Sequence, residues 1–282
     1  MGERKQPPLA LTVLPAGAAR AGFAARKSLG QHFLFHANVA RRIAAAAGDL
    51  AGVHVIEVGS GPGGLTSALL ATEAESITAI EIDTRAIVAL EPLAARNVGR
   101  LRIIEGDARR IDLARLVRAP RQVIANLPYN VASPLLVGWL GQAGAFARLT
   151  LMFQAEVAER ITARPATRAY GRLGVLAQWT TEASIVFRVA PGAFVPRPKV
   201  SSALVSLIPH EVQPPADLFK AMQRLTAAAF GQRRKMLRAA LKPLGGARLL
   251  AAADIAPERR AETLSFAEFD RLARLLCGCS SG

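Results

Sequence analysis

The sequence predicts an α/β protein, a doubly wound Rossmann-like domain with a small all-helical unit behind it. Three observations carry this. Short apolar runs alternate with helical patterns from about residue 37 to about residue 210. The first of these runs ends in a glycine-rich turn, "EVGSGPGG". Beyond a polar, Pro-containing stretch, "EVQPPAD" (211–217), only helical patterns remain. Short strands alternating with helices imply βαβ units and a mostly parallel sheet covered on both faces. Right-handed crossovers then give the doubly wound sandwich.

In chain order, "NVARRIAAAAGDL" (38–50) reads as a helix that Asn38 can cap, and "HVIEV" (54–58) as a short buried strand. "GGLTSALLATE" (63–73) is a helix, "ITAIEI" (77–82) a strand, and "DTRAIVALEPLAAR" (83–96) a helix opening at an Asp cap. "LRIIEG" (101–106) and "RQVIAN" (121–126) are strands, "SPLLVGWLGQ" (133–142) a helix, "ARLTLMFQ" (147–154) a strand and "AEVAERITAR" (155–164) a helix. Residues 170–189 and 199–210 hold later strands and a helix. A boundary therefore falls near residue 210. Helical patterns then cover "LFKAMQRLTAAAF" (218–230), "QRRKMLRAALKPL" (232–244), "ARLLAAADI" (247–255), "PERRAETL" (257–264) and "FAEFDRLARLL" (266–276).

Charge narrows the partners. The chain of 282 residues carries 36 Lys+Arg against 21 Asp+Glu, a net +15 and a pI near 11.2. Such an excess attracts polyanions, and nucleic acid is the first to test. No apolar stretch reaches the ~20 uninterrupted residues of a membrane span, so no membrane partner is expected. The opening residues 1–26 read as a flexible basic extension, because Pro15, Gly17 and Arg20 break any signal-peptide core. Cys277 and Cys279 have one residue between them, a spacing that strains a disulfide; the expectation is reduced thiols and a cytoplasmic protein. The four histidines, 32, 36, 54 and 210, form no metal-ligand spacing, so no metal is expected. A monomer is the default.

The turn matches G-x-G-x-x-G at Gly59, Gly61 and Gly64. Alone the match is weak, since any tight strand-to-helix turn favours glycine. It opens a helix after a strand, so backbone can approach a ligand closely there. A dinucleotide pyrophosphate and S-adenosyl-L-methionine both remain open on the glycines. Glu81, ending the next strand, can accept from ribose hydroxyls in either ligand. Asp107, ending the third strand, can accept from an adenine amino group. With Glu57 and Asp83, four carboxylates would surround the turn, which disfavours a pyrophosphate and suits a sulfonium. For Asp83, capping the following helix is the simpler role, and Glu57 can hydrogen-bond within the loop.

"NLPYN" (126–130) leaves the fourth strand at the same sheet edge. If the substrate is an exocyclic amino group, the Asn126 side-chain oxygen and the Leu127 carbonyl can accept its N–H bonds and free its lone pair. Pro128 would fix that carbonyl, and Tyr129 would offer a ring for the base to stack on. A Pro-containing turn with a buried tyrosine weighs about as much on the segment alone. The adenosine-type site beside it tips the balance toward catalysis.

These segments, with "SLGQHFL" (28–34), "EVGSGPGGLT" (57–66), "IEID" (80–83), "EGDA" (105–108) and "FVPRPKVSSALV" (194–205), resemble the ribosomal RNA adenine N6-dimethyltransferases. The resemblance runs from about Lys27 to the end, which sets the expected units at 1–26, 27–210 and 211–282. It implies an S-adenosylmethionine-dependent methyltransferase domain followed by a helical RNA-binding domain. "YGRLGVLAQ", "FGQRRKMLRAAL" and "LSFAEFDRLARLL" are similar to the bacterial small-subunit branch. That branch implies dimethylation of two adjacent adenosines in the 3′-terminal hairpin of 16S rRNA within a 30S assembly intermediate. Residue by residue, the resemblance implies cofactor contacts at Gln31, His32, Leu34, Gly59, Gly61, Glu81, Ile82, Asp107, Ala108 and Asn126. It implies catalytic roles for Asn126, Leu127, Pro128, Tyr129 and Phe194, with Phe194 closing over the opposite face of a flipped base. His32 stands where family members often carry Asn, and Ala155 where they usually carry Lys, which removes a phosphate contact. Arg233, Arg234, Lys235 and Arg238 are expected on one face of an amphipathic helix, binding RNA phosphates. Weighed against this are a large-subunit 23S methyltransferase of the antibiotic-resistance type, a non-catalytic assembly factor and a nicotinamide-dependent oxidoreductase.

Overall fold

The computed structural model describes residues 30–34, 36–232 and 234–278. The N-terminal extension 1–26 and Arg233 lie outside the described residues. In chain order the strands are β1 (Phe33–Leu34), β2 (His54–Val58), β3 (Ser76–Glu81), β4 (Leu101–Glu105) and β5 (Arg121–Asn126). They continue with β6 (Arg148–Gln154), β7 (Thr181–Val189), β8 (Phe194–Val195) and β9 (Ser202–Pro209). Seven of them form one sheet in the order β4-β3-β2-β5-β6-β9-β7. The first five in that row are parallel, while β9 runs antiparallel to both β6 and β7. This is a Rossmann-like α/β fold with an antiparallel pair at one end. Strand order reverses at β2, which has β3 on one side and β5 on the other. The carboxyl ends around that reversal are where open α/β sheets bind ligands.

Why these strands form is plain from their burial. All five residues of β2 are buried, and so are the interior residues of β5 and β6. A strand covered on both faces reads as a continuous apolar run. The helix Thr84–Arg96 starts as expected, Asp83 accepting from the backbone N–H of Arg85. Helix Ala37–Ala46 starts one residue before Asn38, with His36 at the cap position and no side-chain cap. Asn38 instead accepts from the Arg41 guanidinium within the first turn. The helix expected at 133–142 runs from Tyr129 to Leu140, so "NLPYN" turns directly into a helix N-terminus. Its buried apolar face runs from Ala132 to Leu140, and the helix itself begins about one turn upstream of Ser133.

The basic segment differs more. Of the described residues, Gln232, Arg234 and Lys235 lie in a turn, and the only α-helix between 232 and 244 is Leu237–Ala240, followed by a 3₁₀ turn, Lys242–Leu244. The backbone N–H groups of Leu237 and Arg238 bond to the carbonyls of Arg259 and Pro257, at 2.7 and 3.1 Å, so tertiary bonds replace intrahelical ones. Arg234, Lys235 and Arg238 are exposed around that turn rather than along one helix face. Residues 257–264 likewise hold only a short 3₁₀ turn, Ala261–Thr263. Cys277, at the end of the last helix, is disulfide-bonded, contrary to the expectation of reduced thiols.

Helices after residue 215 share one hydrophobic core with the sheet. Leu218, Met222, Leu225, Phe269 and Leu272 are fully buried in the cluster that also contains Leu136, Leu151 and Leu176. Each such side chain contributes roughly 1.5–3 kcal/mol, far more than an exposed ion pair at about 0–1 kcal/mol. Trp179 stacks on Phe219 at 6.2 Å and donates to Asp270 at 3.1 Å, and the Tyr170 hydroxyl donates to the Leu264 carbonyl at 3.0 Å. The change near residue 210 is one of secondary structure and not of packing. A second core, with Ile43, Leu69, Val189 and Phe194, lies under the small antiparallel ribbon of β1 and β8. That ribbon brings residues 30–34 over the glycine turn. No helix among the described residues is long and apolar enough to cross a membrane.

Candidate active site

A cavity of about 240 Å³ opens at the carboxyl ends of β2, β3, β4 and β5. Its floor is the turn after β2. Gly59, Gly61 and Gly63 all take positive φ, at 73°, 53° and 90°, values that L side chains rarely adopt. Space is as restrictive as conformation. A Cβ on Gly61 would lie 2.9 Å from the Phe33 ring, and one on Gly64 only 2.3 Å from the Leu34 carbonyl oxygen. The glycines therefore admit the strap of residues 30–34 as well as any ligand.

The acids behave differently from one another. Glu81 accepts from the backbone N–H groups of Gly61 through Oε2, and of Ile82 and Asp83 through Oε1, at 2.8–2.9 Å. A carboxylate offers about four lone-pair directions, so one remains, on Oε2, for a ribose hydroxyl. Burial pushes its pKa up despite those donors. Glu57 is fully buried, and desolvation raises its pKa to about 8, so it is largely protonated at neutral pH. Asp83 is held down to about 2, chiefly by the Arg85 guanidinium; it also accepts from Gln31 Nε2 at 3.0 Å. Both oxygens of Asp107 accept from Arg109, which lowers its pKa. The expected ring of four uncompensated carboxylates is thus absent: one acid is neutral, two are paired, and charge alone does not exclude a pyrophosphate.

Two polar atoms support a ligand in this space. Among the described residues, Glu57 Oε2 and Ser60 Oγ are buried without a hydrogen-bond partner, and both residues line the cavity. Buried polar groups are otherwise nearly always satisfied. With Glu81 as acceptor and Ile82 half exposed at the rim as an apolar platform, the residues present fit an adenosine-containing molecule with a polar tail.

"NLPYN" forms the opposite wall. Asn126 Nδ2 donates to the His32 carbonyl at 3.1 Å. A carbonyl only accepts, so the amide orientation is fixed by chemistry, and Oδ1, with no donor among the described residues, is left as an acceptor beside the cavity. Among the described residues no hydrogen bond reaches the Leu127 carbonyl either. Pro128, at φ −59°, caps the helix on which Tyr129 is the first residue. Tyr129 is partly buried, and burial raises its pKa.

Over residues 22–277 the chain matches the family described as ribosomal RNA adenine dimethylase. It belongs to that family. Ribosomal RNA small subunit methyltransferase A of Gluconobacter oxydans is 59% identical over 254 residues, covering 90% of this chain and 84% of that protein. The protein of the same name from Rhodospirillum rubrum is 53% identical over 261 residues, 92% of this chain and 91% of that one. Among solved structures, a dimethyladenosine transferase from Plasmodium falciparum superposes with a TM-score of 0.69 at 26% identity, covering 83% of this chain and 94% of that one. The 23S rRNA methyltransferase ErmE shares the fold, with a TM-score of 0.63 at 24% identity, 86% of this chain and 99% of that one.

Of the residues that the dimethylase resemblance singles out, Gln31, His32, Leu34, Gly59, Gly61, Glu81, Ile82, Asp107, Ala108 and Asn126 all line the cavity, as do Leu127, Pro128 and Tyr129. Phe194 does not. It is 2% exposed, pairs with Leu34 across the β1–β8 ribbon and packs in the second core, so no face is open to a base. Arg234, Lys235 and Arg238 also lie outside the cavity lining. Sequence reasoning missed Ser60, Phe33 and Asn130 in the wall. Ser60 lay inside the quoted glycine turn, but nothing in a sequence shows that its hydroxyl is orphaned.

Proposed function

We propose that the protein transfers methyl groups from S-adenosyl-L-methionine to N6 of two adjacent adenosines in the 3′-terminal hairpin of 16S rRNA, twice each. Membership of the dimethylase family and relatives above 50% identity named as small-subunit methyltransferases support the substrate. The observation that carries the chemistry is the pair of unused acceptors, Asn126 Oδ1 and the Leu127 carbonyl, beside the cavity.

S-adenosyl-L-methionine, when bound, supplies a methyl carbon activated by a sulfonium. Glu81 and the glycine turn hold its adenosine end, and Glu57 and Ser60 are placed to satisfy its polar tail. The target adenine leaves its stack and rests on the Tyr129 ring. Its amino nitrogen is a poor nucleophile because the lone pair is delocalised into the ring. Accepting both N–H bonds at Asn126 Oδ1 and Leu127 O pyramidalises the nitrogen and turns its lone pair toward the methyl. This is positioning and preorganised electrostatics, and it requires no strong general base. Each transfer would leave a neutral thioether and a cationic nitrogen, acidic enough to shed one proton to water; a single N–H then remains after the first, and one acceptor suffices to hold the nitrogen for the second.

Arg234 and Lys235 are exposed, without an ion pair among the described residues, and Arg238 lies 3.9 Å from Glu258. Together with Arg233 they are assigned to RNA phosphates, and residues 211–282 to RNA binding. The working substrate is a 30S assembly intermediate, and the enzyme acts as a cytoplasmic monomer. Labelled S-adenosyl-L-methionine with undermethylated 30S and 50S particles, followed by nucleoside mass spectrometry, tests the reading. Dimethyladenosine in 30S RNA alone is expected. Label in 50S RNA alone, or in neither, overturns it.

A further inference from the structure

Tyr129 is held from two sides by parts of the chain remote from it. Its hydroxyl lies 2.6 Å from Oγ of Ser202. Its ring centroid lies 5.3 Å from that of His32, with the planes inclined by 32°. Both anchors are themselves fixed. Ser202 has no exposed surface and opens β9, which is paired on both sides, to Gln154 on β6 and to Val189 on β7. The carbonyl of the preceding Ser201 accepts from the Ala155 N–H at 2.9 Å. His32 Nδ1 is 2.8 Å from the Pro196 carbonyl and must donate to it, while the His32 carbonyl holds Asn126.

Stacking a base needs only the face of a six-membered ring, and phenylalanine would supply that. The hydroxyl is therefore not explained by stacking. It points into the sheet at a serine that has no other assigned task. An aromatic ring's terminal torsion is broad, so a Tyr on the first turn of a helix can swing unless its tip is tied. A hydrogen bond of ordinary net strength biases such a ring roughly 2- to 10-fold toward one orientation. Misplacing reacting groups by about 1 Å can cost up to 10²-fold in rate.

We propose that Ser202 is a positioning residue of the methyl transfer: its hydroxyl, carried on a strand paired on both sides, sets the plane of the Tyr129 ring, with His32 as the second stop. The plane of the target base over Asn126 follows from it. The inference rests on the reading that Tyr129 stacks the target adenine. It adds a residue that the glycine turn, the acids and "NLPYN" do not include.

A merely structural role, satisfying a buried phenol, predicts a different result from positioning. The test compares Ser202→Ala, Tyr129→Phe, the double variant and Ser202→Thr with wild type on undermethylated 30S particles. The expected result is a 5- to 50-fold fall in kcat for Ser202→Ala and for Tyr129→Phe, with KM for S-adenosyl-L-methionine within twofold. The double variant should lose no more than either single one, because both remove the same bond. Ser202→Thr, which keeps the hydroxyl, should recover most of the rate. A second readout needs no turnover. RNA carrying 2-aminopurine at the target position, bound with S-adenosylhomocysteine, should fluoresce more brightly in Ser202→Ala than in wild type, because stacking on Tyr129 quenches it. Wild-type kcat in Ser202→Ala, losses that multiply in the double variant, or a fall in Tm with kcat unchanged each overturn the proposal. Absence of adenine methylation by the wild type would instead overturn the functional reading, so the two failures are told apart.

Discussion

Glu57 offers a test of the site that needs no substrate. Its carboxyl is fully buried at the end of the first strand of the sheet, and desolvation raises its pKa from 4.5 to about 8. The folded value lies above the unfolded one. The favourable contribution is therefore complete below pH 4.5 and lost progressively as pH rises to about 8. Each pH unit in that window is worth about 1.4 kcal/mol, which makes the full loss roughly 5 kcal/mol for a group with no exposed surface to soften it. Glu57→Gln keeps the shape and removes the proton equilibrium. Its amide leaves an unpartnered polar group behind, a cost of about 1–3 kcal/mol, but that cost does not vary with pH. Urea unfolding of ligand-free wild type and Glu57→Gln at pH 5, 6, 7 and 8 isolates the effect, since titrating groups away from Glu57 cancel in the difference and only its coupling to Glu81 remains with it. Relative to wild type, the variant should gain stability steadily from pH 5 to 8 and then level off. Parallel stability curves across that range would refute the reasoning, because they would mean that Glu57 titrates like a solvated acid.

Four further outcomes are expected. Asn126→Ala should lower methyl transfer by about 10²–10³-fold, read by label incorporation, while circular dichroism and Tm stay close to wild type. Gly64→Ala, at the first position of the helix Gly64–Leu70, gains little helix propensity and should lose about 1–3 kcal/mol to overpacking, because the new Cβ meets the Leu34 carbonyl at 2.3 Å. Equilibrium dialysis with labelled S-adenosyl-L-methionine should show weakened binding in the same variant. Arg85→Ala should move acid unfolding to higher pH: Asp83, held near pH 2 largely by Arg85, contributes above 3.8 and loses that contribution as pH falls toward 2. Arg234→Ala and Lys235→Ala should each flatten the log–log salt dependence of RNA binding by about 0.7–0.9, measured by filter binding; an unchanged slope would remove that residue from the phosphate contacts.

How much of this was legible in the sequence depends on how far apart the interacting residues lie. The central parallel strands β2, β5 and β6 were legible because burial on both faces leaves a mostly apolar run, and the carboxyl ends of the strands put Glu81, Asp107 and Asn126 on one sheet edge. Their charge state was not legible. Glu57 looks like any other acid until its surroundings are known, and desolvation decides its protonation. The basic run after Gly231 has helical periodicity, yet the carbonyls of Arg259 and Pro257 capture its backbone donors and leave one short helical turn. Phe194 carried the expectation of a ring closing over a flipped base, but it pairs with Leu34 and is buried in the second core.

The contacts that organise the site are of this second kind. Gln31 to Asp83, Tyr129 to Ser202 and Asn126 to His32 span 52, 73 and 94 residues. Each ties the strap before the first helix, or the start of β9, to the sheet edge. A chain can keep every motif of the glycine turn and "NLPYN" and still misplace the base if those ties are cut. That makes them the places where a variant with intact motifs should lose rate without losing its fold.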